Sequence, residues 1–162
     1  MAAKNELAWK GIYSLISLAG IALIALGYGE ARLDSVFLYS TPQWLKHPVY
    51  LAMALAMILF FAPYFPGKIK QAAKHPQLVA VKLWATGHLL VNGTLADVIL
   101  FGAFLIWAVI DRVSMKRRVS RPVPGLKTSA VNDVIVVVLG VIATAAFVHF
   151  LHGYLTGVPL LR

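Results

Sequence analysis

The side chains of this sequence best suited to chemistry are its five histidines, His47, His75, His88, His149 and His152. Neutral imidazole is the commonest protein ligand for metals and an axial ligand of haem iron. Cysteine is absent, which excludes thiolate ligands, cysteine nucleophiles and disulfides. His149 and His152 are spaced i and i+3, which in an α-helix sets them on one face. His88 sits inside an apolar run, with Asn92 and Asp97 close behind it. Such a set has two natural forms: haem iron held by one or two of the histidines, or a non-haem metal held by His and Asp97. The sequence has no phosphate-binding glycine loop, G-x-S-x-G elbow or H-E-x-x-H pair, which argues against nucleotide hydrolysis and zincin chemistry.

The elements that must hold these residues are membrane helices. The chain is 60% hydrophobic and only 13% charged, against roughly 25% charged in an ordinary soluble domain. A spanning helix needs roughly 17 to 25 mostly apolar residues. The runs 11–29 and 49–65 contain no charge, and 134–151 is dense in Val, Ile and Ala. Between them lies 78–110, broken by the turn signal Asn92-Gly93. It reads as a tight helical hairpin, either two full spans or a re-entrant pair buried among the other helices. The sequence therefore predicts an all-α, polytopic bundle in one domain, 1–162, with about five spans over 11–29, 49–65, 78–92, 94–111 and 134–152. The first run is too long for a secretory h-region and reads as a retained helix.

Loop charges predict the sidedness. Lys68, Lys70 and Lys74 follow the second run, and 112–132 forms a basic loop with Arg112, Lys116, Arg117, Arg118, Arg121 and Lys127. Lys and Arg accumulate in cytoplasmic loops, so both loops and the N-terminus are expected inside. The net charge of +9 then reflects orientation in a lipid bilayer, with no nucleic-acid partner. His47, His88, His149 and His152 all fall in the outer half under this topology, with His88 about 6 Å inside the turn, while His75 falls on the inner side. A cluster from three separate helices is a site hypothesis, since polar groups in lipid face a bundle interior or a cavity. Plain structural roles compete. His47 before Pro48 suits a helix start, and His149 and His152 can snorkel to the headgroups. Asp97 suits the N-terminal dipole of its helix, and Lys82 the inner interface. Trp9, Tyr39, Trp44 and Tyr64 suit interfacial anchoring. The stretch 120–125, with Pro122 and Pro124, is expected as a loop before the last helix, which Asn132 or Asp133 is placed to cap.

The run Lys82-Leu83-Trp84-Ala85-Thr86-Gly87-His88-Leu89-Leu90-Val91-Asn92-Gly93, continuing through Leu95-Ala96-Asp97, resembles the NnrU family of membrane proteins. Further matches are Ser14 to Gly20, Gly27-Tyr28-Gly29, Pro66 to Lys70, Trp107 to Arg112 and His152 to Pro159, so the similarity covers nearly the whole chain. The resemblance implies a bacterial inner-membrane protein associated with nitrite and nitric oxide reduction (denitrification). The family's plant relatives include the 15-cis-zeta-carotene isomerase, a haem b enzyme. It therefore also implies haem b as cofactor and an isomerase-like action on an apolar small molecule. His88 and His152 would be axial ligands, with His149, Asn92 and Asp97 around the cofactor. Family members usually begin with another hydrophobic helix that includes a histidine, so the chain is expected to lack the family's first helix.

Two other functions stay open on the sequence. One is a non-catalytic accessory protein whose helices hold reductase subunits, with the arginine-rich loop as its docking surface. The other is an isoprenylcysteine methyltransferase-like enzyme, since Lys46-His47-Pro48-Val49-Tyr50-Leu51 resembles the R-H-P-x-Y-L start of its cofactor helix. There Ala52 replaces the expected Gly, and the expected acidic pair near the C-terminus is missing.

Overall fold

The computed structural model describes residues 2–118 and 123–160, with side chains from residue 6. Arg121 and Pro122 of the expected basic loop lie outside the described residues. The fold is all-α, and its only β pairing among the described residues is an isolated bridge between Phe37 and Thr94. The helices are α1 (Ala2–Leu33), α2 (Lys46–Phe61), α3 (Lys68–Ala73), α4 (Pro76–Val91), α5 (Leu95–Ser114), α6 (Val131–Ala146) and α7 (His152–Thr156). A 3-10 turn, Gln43–Leu45, leads into α2, and a π-helical stretch, Phe147–Leu151, joins α6 to α7.

Among the described residues, three stretches are long and apolar enough to cross a membrane: Glu6–Leu33, Gln43–Phe61 and Val131–Thr156. The first helix runs past the expected 11–29 at both ends, because no breaker interrupts it before Asp34 and Lys10 pairs with Glu6 one turn away at 2.8 Å. The second begins and ends earlier than 49–65, since Pro63 has no N–H to continue the helical hydrogen-bond ladder beyond Ala62. The expected hairpin is α4 and α5. At 16 residues α4 is about 24 Å long, short against a core of about 30 Å.

Packing is antiparallel, with α2 central, α4 on one side, α6 on the other and α5 outside α4. Small residues set the spacing. A Cβ on Gly140 of α6 would stand 2.8 Å from the Ile58 Cα of α2, and one on Gly87 of α4 would meet Met53 and Val49 of α2. The first helix meets the bundle at α5 and through a hydrogen bond that Arg32 donates to the Thr156 carbonyl of α7 at 2.9 Å, and no residue of its apolar window is buried. Leu15, Leu18 and Leu23 are each more than 65% exposed. Water does not tolerate so large an apolar surface, so these faces belong in lipid or against a partner.

Both ends of the bundle are tied. At the hairpin-turn end, Leu38 and Tyr39 donate backbone N–H groups to the Gly93 carbonyl, Leu95 donates to Val36, and Ala96 donates to the Ser35 hydroxyl. Tyr39 caps α4 by donating its hydroxyl to the carbonyls of Leu89 and Asn92, a role beyond interfacial anchoring. At the basic-loop end, Gln77 donates to the Tyr64 hydroxyl, Leu126 donates to Tyr64 and Ser129 to Pro66. The hairpin thus runs the full length of α2, from Tyr64 to Tyr39.

Asn132 and Asp133 do not cap α6 as expected; its N-cap is Ala130, without a side-chain hydrogen bond. Asn132, buried, donates to the carbonyls of Pro66 and Lys127. Asp133 accepts from the N–H groups of Lys68 and Ile69, capping α3 instead. Both side chains have turned from their own helix toward the 62–69 segment, where they add to the backbone bonds that Leu126 and Ser129 already make to it.

Candidate functional site

A cavity of about 810 Å³ opens between α4 and α6 with α2 as its floor. Its wall includes His88 and Trp84 from α4, His152 from α7, Phe147 and Val148 from the π-helical stretch, and Val49, Met53 and Met57 from α2. That volume falls within the range of small-molecule sites, and the lining is mostly apolar.

His88 is fixed on three sides. Its ring stacks on Phe101 of α5 with centroids 4.5 Å apart and lies 5.2 Å from Trp84. Its Nδ1 lies 2.9 Å from the Trp84 carbonyl oxygen. A carbonyl only accepts, so Nδ1 carries the proton and Nε2 keeps its lone pair. His152 has the same arrangement: Nδ1 donates to the Val158 carbonyl at 2.7 Å. This bond depends on Gly157, whose left-handed backbone (φ 71°) ends α7 and folds residues 158–160 back over the cavity. Two imidazoles from distant parts of the chain therefore line one chamber in the tautomer that leaves Nε2 basic.

His149 does not join them. It is exposed and absent from the lining. The expected shared face with His152 assumed α-helical spacing, whereas the intervening stretch is π-helical and the His152 N–H bonds back to Phe147. A five-residue repeat holds more residues per turn, so a three-residue step stops further short of a full rotation and leaves His149 well round the axis.

Asn92 lines the cavity, but Asp97 stands behind it. Asp97 is buried at 7% exposure and its oxygens are occupied. Oδ1 accepts from the Tyr28 hydroxyl at 2.6 Å, and Oδ2 from the Thr94 hydroxyl at 2.6 Å and the Thr94 N–H at 3.2 Å. With the return bond from its own N–H to Thr94 this is a capping box. No group of three or more His, Asp or Glu placed to hold a metal occurs among the described residues. His47 is exposed and outside the lining, while its neighbour Lys46 is part of it. His75 is the N-cap of α4, at the basic-loop end.

Sequence reasoning missed Lys46, Tyr50 and Thr144 as lining residues and Tyr28 as the partner of Asp97. The Thr94-x-x-Asp97 capping pattern was legible. Nothing local signals the others.

No curated protein and no solved structure matches the chain. The family model described as NnrU protein matches residues 1–160. A membrane protein by its long apolar helices, the chain belongs to the NnrU family.

Proposed function

We propose that this NnrU-family chain is a multi-pass protein of the bacterial cytoplasmic membrane, with five spans. In this reading it binds haem b in the α2–α4–α6 cavity and acts there in nitrite or nitric oxide reduction or on an apolar substrate. The observation that carries it is the pair His88 and His152, each lining the cavity with Nδ1 donated to a backbone carbonyl. The donor set fits the group. Metal-ligating histidines characteristically donate their second ring nitrogen in this way, which fixes ring orientation and raises ligand basicity. The lining, mostly apolar, suits a macrocycle.

When bound, haem supplies a redox-active iron that can exchange electrons with a small nitrogen oxide or a polyene. The remaining work falls to this chain's own residues. Nε2 of His88 and of His152 would be the ligands. Trp84 and Phe101 hold the His88 ring in its plane, and the Met and Val side chains of α2 keep water away. Asn92 offers a polar side chain at the turn end of the same wall. Asp97 steadies the hairpin from behind.

The test is an absorption spectrum of the purified protein. A Soret band is expected in wild type, lost in His88→Ala and shifted in His152→Ala. A folded, colourless, metal-free protein after haem supplementation defeats the reading.

A second reading, an accessory subunit, draws on α1, whose apolar window has no buried residue. Under it, replacing His88, His149 and His152 together leaves the denitrification phenotype intact.

A further inference from the structure

The cavity is graded in polarity along its length. Read along α2 from the hairpin-turn end, its floor runs from Lys46 through Tyr50 to Met53, Met57 and Phe60. The fourteen steps from Lys46 to Phe60, at about 1.5 Å each, make this floor about 21 Å long. The α4 wall repeats the gradient in the opposite chain direction, with Ala80 and Val81 at the far end and His88 and Asn92 near Lys46. Two antiparallel helices thus agree that one end of the chamber is polar and the other is hydrocarbon.

Among the described residues, Lys46 is the only formally charged side chain in the lining and no carboxylate pairs with it. We infer that Lys46 anchors the acidic edge of the cavity's ligand, so that a molecule with carboxylate on one edge and hydrocarbon on the other enters in a single orientation. This inference rests on the cavity being the ligand site proposed above. An ammonium beside an apolar chamber favours a carboxylate through a charge-assisted hydrogen bond, while burial of the hydrocarbon edge against Met53, Met57 and Phe60 opposes the reversed pose. Two sources share that chemistry: the propionate edge of haem b and the carboxylate of a long-chain fatty acid.

The experiment uses purified full-length protein as wild type, Lys46→Gln and Lys46→Glu, with His88→Ala as the baseline for haem. Each is titrated with hemin and hemin dimethyl ester by absorption, and with cis-parinaric acid and its methyl ester by fluorescence. Lys46 is exposed, so its variants are expected to melt like wild type. Lys46→Gln should weaken hemin binding about tenfold and Lys46→Glu further, while the dimethyl ester binds all three alike. Equal hemin affinity across the three overturns the anchor and leaves histidine ligation standing. Lys46-dependent binding of parinaric acid without any hemin binding keeps the anchor and removes the haem reading. Lys46-independent binding of both acids ends the inference.

Discussion

The hydroxyl of Tyr28 lies 2.6 Å from Oδ1 of Asp97, joining two residues 69 positions apart in sequence. Tyr28 also meets Phe101 edge to face with centroids 6.2 Å apart, and Phe101 carries the stacked ring of His88. The attachment of α1 and the posture of the candidate ligand therefore share one aromatic support.

Because α1 has few other contacts with the bundle, Tyr28→Phe is expected to loosen it. A hydrogen bond to a charged group contributes about 1.5–3 kcal/mol, and the variant should lose stability in that range. Asp97→Ala should cost more, since the capping box goes with it. Thermal melting in detergent checks the order, and cysteine cross-linking between α1 and α5 should drop in Tyr28→Phe. Unchanged cross-linking would mean that α1 is held by something other than this bond.

A second prediction concerns Gly93. A Cβ there would sit 1.7 Å from the Tyr39 carbonyl oxygen, a backbone atom held by the paired segments on both sides. Gly93→Ala should therefore separate the 34–45 loop from the hairpin turn, at about 2 kcal/mol or more. Faster proteolysis within that loop, together with a lower melting temperature, is the expected result. Gly102→Ala, where a Cβ meets nothing within 4 Å, is the matched control and should be nearly neutral.

At the opposite end, Asn132→Ala removes two part-buried hydrogen bonds, those its amide donates to the backbone carbonyls of Pro66 and Lys127. Pro66 keeps the Ser129 N–H, and the loss of the two side-chain bonds is expected to cost about 1–3 kcal/mol. Asp133→Asn should be milder, because the amide oxygen can still accept from one of the two α3 N–H groups. A comparison of melting temperatures decides this, and Asp133→Asn falling below Asn132→Ala would refute the ranking.

The histidines separate cleanly in a fourth prediction. His88→Ala and His152→Ala should abolish or alter the absorption of haem-supplemented protein, whereas His149→Ala should leave it as in wild type, since His149 is exposed and turned from the cavity. Gly157→Ala should resemble His152→Ala in part. The left-handed backbone that lets Val158 accept from His152 strains any residue with a Cβ. A His149→Ala spectrum altered as much as that of His88→Ala would contradict the π-helical placement.

The all-α class, the three long apolar stretches, the hairpin turn at Asn92-Gly93 and the family were legible in the residues, because each is a local property. Uncharged length is counted along the chain, turn chemistry belongs to two neighbouring residues, and a family string is a run of adjacent letters. That His88 needs a partner or a cavity was also legible, since an imidazole inside an apolar arm demands one, and it has both.

What only the tertiary structure decided is which polar groups meet. Asp97 went to Tyr28 and Thr94, Asp133 went to α3, and Lys46 came to line the chamber. His149 and His152 parted because the helix widened into π geometry between them, a change of register that no i, i+3 count contains. The physical reason is common to all of these. Apolar helices are specified by composition, whereas their polar side chains pair with whatever donor or acceptor the packing of separate helices brings within about 3 Å.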